Sequence, residues 1–284
     1  MNILITGSNG QLGNEFRQLE SNYKEHKFFF TDVDDLDITD AEKSAKFIKS
    51  NSIQACVNCA GYTAVDKAEN DKVHAMLVNA TAVKNLASAC AKVNALFVHI
   101  STDYVFEGKN HKPYTENDTA SPKSIYGKTK LDGEIEVIFN AKRALIFRTS
   151  WLYSSFGNNF VKTMVEKGKS LGELRVVYDQ IGSPTYAADL AEAILNIIEK
   201  VPSKMRTEIY NFSNEGITSW YDFAKAIFDI KNIDCNVLPV PSKDYKTDAV
   251  RPFYSILDKS KVKKDFGITI PYWRDSLKRC LDLL

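Results

Sequence analysis

A doubly wound α/β fold is predicted by three features of the sequence. An apolar run opens directly into a glycine turn, strand-like and helix-like segments alternate over the first 150 residues, and the rhythm loosens beyond them. The opening run is Met1-Asn2-Ile3-Leu4-Ile5-Thr6, and Gly7-Ser8-Asn9-Gly10-Gln11-Leu12-Gly13 follows at once. Repeated β-α-β units of this length need crossover connections, which make the strands parallel and bring ligands to their carboxyl ends. The expected architecture is a Rossmann-type, doubly wound parallel sheet with a smaller interleaved C-terminal substrate lobe. Residues 1–150 make the dinucleotide-binding domain and residues 151–284 mainly the substrate lobe, with later segments returning to the sheet.

Taken in order, residues 27–31 read as the second strand, 40–50 as a helix capped near Thr39 or Asp40, and 53–58 as the third strand. Residues 65–91 have few breakers and a helical period, so one long helix is expected before the fourth strand at 95–100. A polar loop with Pro113 and Pro122 leads to a charged, helix-compatible segment around Tyr126, then to a fifth strand at 144–149. Further on, a helix at 187–199, a short strand at 208–212, a helix at 219–228, a strand at 236–240 and a closing helix at 273–284 are expected.

Composition fits a water-soluble enzyme with well-formed cores, since 44% of the 284 residues are hydrophobic. Lysine and arginine (37) balance aspartate and glutamate (36), and the net charge of +1 provides no global field for nucleic acid or an anionic membrane. No apolar run approaches the roughly 18 residues of a membrane span and no leader precedes the first strand, so a cytoplasmic protein is expected. The five cysteines are scattered. Cys56 and Cys59 have redox spacing but lie in an apolar strand without a second pair, and His26, His74, His99 and His111 form no ligand-spaced pair, so no metal site is expected.

The glycine turn carries the first chemistry. Gly7 permits the tight turn, Gly10 lets the backbone approach a pyrophosphate, and Gly13 lets the helix pack on the strand, while the helix N-terminus supplies free N–H groups. Asp32 falls about 20 residues beyond the turn, where a carboxylate accepts from ribose hydroxyls and repels a 2′-phosphate. That favours NADH, with NADPH left open because a lysine or arginine from elsewhere could meet a phosphate. Asp37 and Ile38 are placed to edge the adenine. Gly61, Tyr62 and Thr63 follow the third strand and would line the other side of the cofactor, ordinary loop packing being the alternative for the last two.

The second chemistry is the spacing of Tyr126 and Lys130, one helical turn apart on one face. A tyrosine hydroxyl titrates near pH 10 and holds its proton firmly. An ammonium about 4 Å away, at an effective dielectric near 20, would favour the phenolate by roughly 4 kcal/mol, or roughly 3 pKa units. Thr102, at the mouth of the fourth strand, adds a hydroxyl for the same substrate oxygen. Tyr-x-x-x-Lys also arises by chance with a packed tyrosine and a solvated lysine; the cofactor motif upstream decides between the two readings. Trp151, next to the fifth strand, offers an apolar wall and one N–H donor to a deoxysugar, with core packing as the alternative. Arg251 offers forked donors to a diphosphate, with a surface ion pair as the alternative.

Together, G-x-x-G-x-x-G, Ser101-Thr102-Asp103-Tyr104-Val105-Phe106, Tyr126-x-x-x-Lys130, Arg148-Thr149-Ser150-Trp151-Leu152-Tyr153, Asp179-Gln180-x-Gly182-x-Pro184-Thr185 and Arg251-Pro252 resemble the extended short-chain dehydrogenase/reductases, in order from Met1 to about Leu257. The run Tyr62-Thr63-Ala64-Val65-Asp66-Lys67-Ala68-Glu69 is similar to the branch that reduces the 4-keto group of a dTDP-6-deoxyhexulose with NADPH or NADH. The resemblance implies Tyr126 as proton donor, Lys130 as the holder of the nicotinamide ribose, and Thr102 as their hydroxyl partner. It implies cofactor contacts from Gly10, Gln11, Leu12, Asp32, Asp37, Ile38, Gly61, Tyr62 and Thr63, and sugar-nucleotide contacts from Thr102, Asp103 and Trp151. Cys59-Ala60-Gly61 departs mildly from the small alanines usual there. Some members form homodimers around magnesium; Glu15 could serve, but its acidic partners do not align, so magnesium is not expected. Two other readings share the frame: a nucleotide-sugar epimerase or dehydratase, and a non-catalytic NAD(P)-binding regulatory subunit. Dehydratases carry Asp-Glu after the threonine, whereas Asp103-Tyr104 stands here.

Overall fold

The computed structural model describes residues 1–284. Five strands alternate with helices through the first half: β1 (Asn2–Thr6), β2 (Lys27–Thr31), β3 (Ala55–Asn58), β4 (Leu96–Thr102) and β5 (Ala144–Thr149). The second half adds β6 (Leu152–Tyr153), β7 (Glu173–Val177), β8 (Ile181–Gly182), β9 (Thr185–Tyr186), β10 (Glu208–Phe212), β11 (Thr218–Ser219) and β12 (Asn236–Val240). A six-stranded parallel sheet runs in the order β10-β5-β4-β3-β1-β2. The chain passes from β1 to β2 on one side and returns to β3 on the other, so the crevice at the carboxyl end of β1 is a topological switch point.

The helices are α1 (Gln11–Leu19), α2 (Ala41–Ser50), α3 (Val65–Asn70), α4 (Lys72–Met76), α5 (Ala82–Lys92), α6 (Ile125–Asn140), α7 (Phe160–Ser170), α8 (Ala187–Ile198), α9 (Trp220–Lys231), α10 (Ser260–Phe266) and α11 (Trp273–Leu281). Alternate β1 side chains face opposite layers. Ile3 and Ile5 join Phe16, Leu145, Phe147, Leu190 and Ile194 on one face, and Leu4 joins Cys56, Val83, Leu86, Phe97 and Ile146 on the other. A third core, with Tyr153, Val161, Phe223, Trp273 and Leu277, holds the lobe together. No helix is long and apolar enough to cross a membrane.

Helix starts follow the local sequence. Asp40 accepts the N–H groups of Glu42 and Lys43 at the head of α2, and Ser124 accepts that of Gly127 at the head of α6. The long helix expected over 65–91 is broken instead: Asp71 leaves the helical region at φ −125° and ψ 53°, and a π turn spans Leu77–Thr81. That turn aims buried Asn79 outward, where Oδ1 accepts the Tyr62 N–H (2.8 Å) and Nδ2 donates to the Tyr62 carbonyl and the Thr129 hydroxyl, both at 3.1 Å. Both backbone hydrogen bonds of Tyr62 thus go to a side chain that a straight helix would point elsewhere. The sequence reading passes over α7, β7 and α10; β7 pairs in parallel with β12 away from the main sheet. β10 and α8 return to that sheet, β10 beside β5 and α8 against α1.

Candidate active site

At the switch point the chain makes a cradle that side chains would fill. Gly7 has φ +63°, and a Cβ there would stand 2.6 Å from the Ala60 Cα; one on Gly13 would stand 2.4 Å from the Ser8 Cα. Gly10 enters α1 in an extended conformation without any side-chain cap, and the first turn has no acidic residue. The N–H groups there are unclaimed and carry the positive end of the helix dipole. This cradle fits a dinucleotide pyrophosphate. Asp32 lies at its side, where Oδ2 accepts the Asn9 N–H at 2.9 Å.

Facing the cradle is a cleft of about 680 Å³ that brings Gly10, Gln11, Leu12, Gly61 and Thr63 together with Thr102, Asp103, Tyr126, Lys130, Trp151 and Arg251. Register explains part of this. Asn58, the last residue of β3, lies level with His99, so β4 runs three residues further and presents Thr102 at the mouth, opposite Thr149 of β5. Thr102 Oγ1 donates to Asp103 Oδ1 at 3.0 Å and accepts the Tyr104 N–H at 3.2 Å. The helix α6 then lays Tyr126, Lys130 and Glu134 along one face, one turn apart.

The electrostatics of the site differ from the expectation in sign. Burial raises the Tyr126 pKa; the neighbouring Thr102 hydroxyl pulls it down, while Asp103 and Tyr104 push it further up. The Lys130 ammonium donates to the Ile100 carbonyl. Burial lowers the lysine itself to about 8, against the attraction of Glu134. The neutral phenol is therefore the resting form, with a firmly held proton. Asp103 is pushed up to about 7 by burial, against the pull of the Thr102 and Ser255 hydroxyls and of nearby backbone N–H groups; its buried Oδ2 makes no hydrogen bond of good geometry.

Beneath the pair sits a buried ion cluster that the sequence reading did not identify. Glu134 takes three hydrogen bonds from Arg148, two from Nε at 2.9 and 3.2 Å and one from Nη2 at 2.7 Å, and accepts the Ser101 hydroxyl. Since Ser101 lies between Ile100 and Thr102, these bonds fasten α6 to β4 and β5 just behind the chemistry. Arg251 donates to the Tyr104 hydroxyl at 3.1 Å and pairs with Asp66 at 2.6 Å, so the surface ion pair left open as an alternative is made, within the cleft wall. Tyr104 in turn meets Tyr126 edge-on, with ring centroids 5.5 Å apart.

Other expected contacts lie apart. Asp37 accepts the Thr39 N–H and hydroxyl, and Ile38 is packed in the core between the sheet and α5. Neither lines the cleft, and neither do Asp32 and Tyr62, whose hydroxyl lies 3.3 Å from Asp71. Glu15 is buried and accepts the Ser154 hydroxyl at 2.6 Å. The carboxylate that acts on it, Asp189, is held by Arg279, Ser276 and Asn214.

A parallel sheet with a glycine cradle at its switch point and a Tyr-x-x-x-Lys helix beside the next strand end defines an enzyme of the extended short-chain dehydrogenase/reductase class. The model of the RmlD substrate binding domain family matches residues 1–284, and the chain belongs to that family. The dTDP-4-dehydrorhamnose reductase of Aggregatibacter actinomycetemcomitans is 39% identical, over 97% of each chain. The structure superposes on a dTDP-4-dehydrorhamnose reductase from Clostridium acetobutylicum with a TM-score of 0.95 at 43% identity, covering 100% of this chain and 99% of that one. The Bacillus anthracis enzyme of the same name, solved in complex with NADP, gives a TM-score of 0.95 at 40% identity with the same coverage.

Proposed function

We propose that this chain reduces the 4-keto group of dTDP-4-dehydro-β-L-rhamnose to dTDP-β-L-rhamnose, a step of dTDP-rhamnose biosynthesis, with Tyr126 as proton donor. The observation that carries this reading is the meeting of Thr102, Tyr126 and Lys130 in one cleft with the glycine cradle, in a chain whose full-length relatives bear the reductase name. NADPH or NADH, when bound, supplies the hydride that adds to C4.

The chain's own residues do the rest. Tyr126 gives its proton to the C4 oxygen as that oxygen gains charge, and Thr102 orients the oxygen by a second hydrogen bond. Burial suits the phenol to this part, because a raised pKa keeps it protonated until the ketone is reduced. Lys130, still largely charged at neutral pH, would hold the cofactor ribose; its Nζ is close to Gly61, where a Cβ would stand only 3.8 Å away. The unpartnered Asp103 Oδ2 is available to a sugar hydroxyl. Tyr104 is engaged by Arg251, and no second carboxylate stands beside Asp103 for the elimination chemistry of a dehydratase.

The deciding experiment is consumption of NADPH and of NADH by the purified chain with a panel of nucleotide 4-keto sugars, the product's stereochemistry being read by NMR. Turnover of the dTDP-4-keto sugar to the L-rhamno product supports the reading; epimerised or dehydrated product without net cofactor consumption refutes it. The setting we infer is cytoplasmic, and a homodimer is the assembly to test by sedimentation velocity.

A further inference from the structure

Two indoles meet at the sugar side of the cleft. Trp151 and Trp220 lie face to face, with ring centroids 3.6 Å apart and planes within 10°. Aromatic pairs favour offset or edge-on arrangements, so near-complete overlap points to rings held there by their surroundings. Trp151 has a left-handed backbone, φ +49°, which is costly for a bulky side chain. Gly182 leaves room for its ring: a Cβ there would stand 2.6 Å from Cε2 and 2.8 Å from Cζ2.

One local pairing sets both neighbours of that ring. β8 and β11 run antiparallel with Thr218 opposite Gly182 and Ser219 opposite Ile181. Ser219 then caps α9 by accepting the Asp222 N–H at 3.0 Å, which makes Trp220 the first helical residue and directs its side chain over Trp151. Phe160 leans on Trp220 from the lobe, centroids 4.6 Å apart. Both indoles and Phe160 line the cleft that holds Tyr126.

We propose that Trp220 is a positioning residue for the reduction: together with Gly182 it fixes the Trp151 indole, and through that indole the tilt of the sugar ring toward the proton donor. The proposal rests on the reading of Trp151 as the wall of the sugar site. A sugar held loosely at the reacting carbon loses rate more than affinity, because the near-attack geometry is what is lost.

The test compares Trp220→Leu, Trp220→Phe, Gly182→Ala and Trp151→Ala in steady-state kinetics with the dTDP-4-keto sugar, alongside NADPH affinity, melting temperature and far-ultraviolet circular dichroism. Face-to-face indoles couple excitonically and give a dichroism couplet that a single indole lacks. Trp220→Leu should abolish the couplet and lower kcat about tenfold or more, with KM within about threefold and NADPH affinity unchanged. Trp220→Phe, which keeps a flat ring, should recover most of kcat, and Gly182→Ala should lower kcat with both indoles still present. A Trp220→Leu enzyme within about threefold of wild-type kcat overturns the proposal if Trp151→Ala is impaired. If Trp151→Ala is also unimpaired, the reading of Trp151 falls and the proposal with it. Should Trp220→Leu lose stability and NADPH binding as well, Trp220→Phe decides: a folded Phe variant without recovered kcat overturns the positioning role.

Discussion

Arg251 Nη2 lies 2.6 Å from Asp66 Oδ2, a bond that spans 185 residues and ties the loop before the last two helices to the segment after β3. The pair is partly open to solvent, with 27% of the arginine side chain and 41% of the aspartate exposed, so its contribution to stability is small. Its place in the cleft wall gives it a different weight. An incoming diphosphate can share the guanidinium, whose fork is already oriented by Asp66 and Tyr104.

Arg251→Ala should therefore raise KM for the nucleotide sugar by about tenfold or more, in line with the roughly 1.5–3 kcal/mol of a hydrogen bond to a charged group, and leave NADPH affinity unchanged. Asp66→Asn keeps a hydrogen bond and should change KM less. If Arg251→Ala leaves KM within a factor of two, the arginine serves only the ion pair.

Tyr126→Phe should lower kcat by roughly 10² to 10⁴, the usual worth of a positioned acid, while NADPH still binds. Cofactor titration by fluorescence and single-turnover reduction separate the two effects. Near wild-type turnover would remove Tyr126 from the mechanism.

The sheet was readable because its strands are short apolar runs and the turn between β1 and α1 is written in glycine; the Tyr126 and Lys130 pair was readable because helix spacing is a local property. Other parts of the site depend on distant partners. Glu134 with Arg148, Arg251 with Asp66, and Trp151 with Trp220 join residues from separate elements, and no local pattern announces them. Asn79 escaped notice because a π turn changes its direction within a segment of ordinary helical composition. The direction of the Tyr126 shift has a physical reason: spacing on a helix shows that a charge is near, whereas the burial that raises the phenol appears only when the chain is folded.

Lys130 makes cofactor affinity depend on pH. With the ammonium lowered to about 8, its charge is present below that pH and lost above it. The groups facing it are Glu134 on its own helix, itself paired with Arg148 of β5, Cys59 after β3 and His99 on β4, and His99 is held neutral by burial and by the lysine itself. NADPH should bind more weakly as pH rises through about 8, and Lys130→Met should bind weakly throughout, without that transition. Isothermal titration from pH 6.5 to 9.5 provides the check; a flat wild-type profile contradicts the assignment.

Glu134→Ala leaves the buried Arg148 without its carboxylate. Removing one partner of a buried pair costs about 3–5 kcal/mol, whereas replacing both with apolar residues is often near neutral. The single variant should melt several degrees lower, and Glu134→Leu with Arg148→Met should recover most of the loss. Equal melting temperatures for Glu134→Ala and wild type would contradict the burial of this pair.

Asp103 should make stability fall with rising pH. Its carboxyl titrates near 3.8 when unfolded and at about 7 in the folded chain, chiefly because burial penalises the charge. Between those values the folded state binds more protons than the unfolded one, so stability declines across the window and levels off above it. Asp103→Asn has no proton to lose. The melting temperature of the variant relative to wild type should therefore rise from pH 5 to pH 8, by an amount corresponding to about 2.7 kcal/mol, since the roughly two pH units between 5 and the folded pKa are worth about 1.4 kcal/mol each. Any cost of burying the amide beside Thr102 is the same at both pH values and cancels in the comparison. Scanning calorimetry of both proteins at the two pH values measures the difference directly. Curves that run parallel would mean that Asp103 keeps an ordinary pKa in the folded chain, and the unpartnered Oδ2 would then be reached by water.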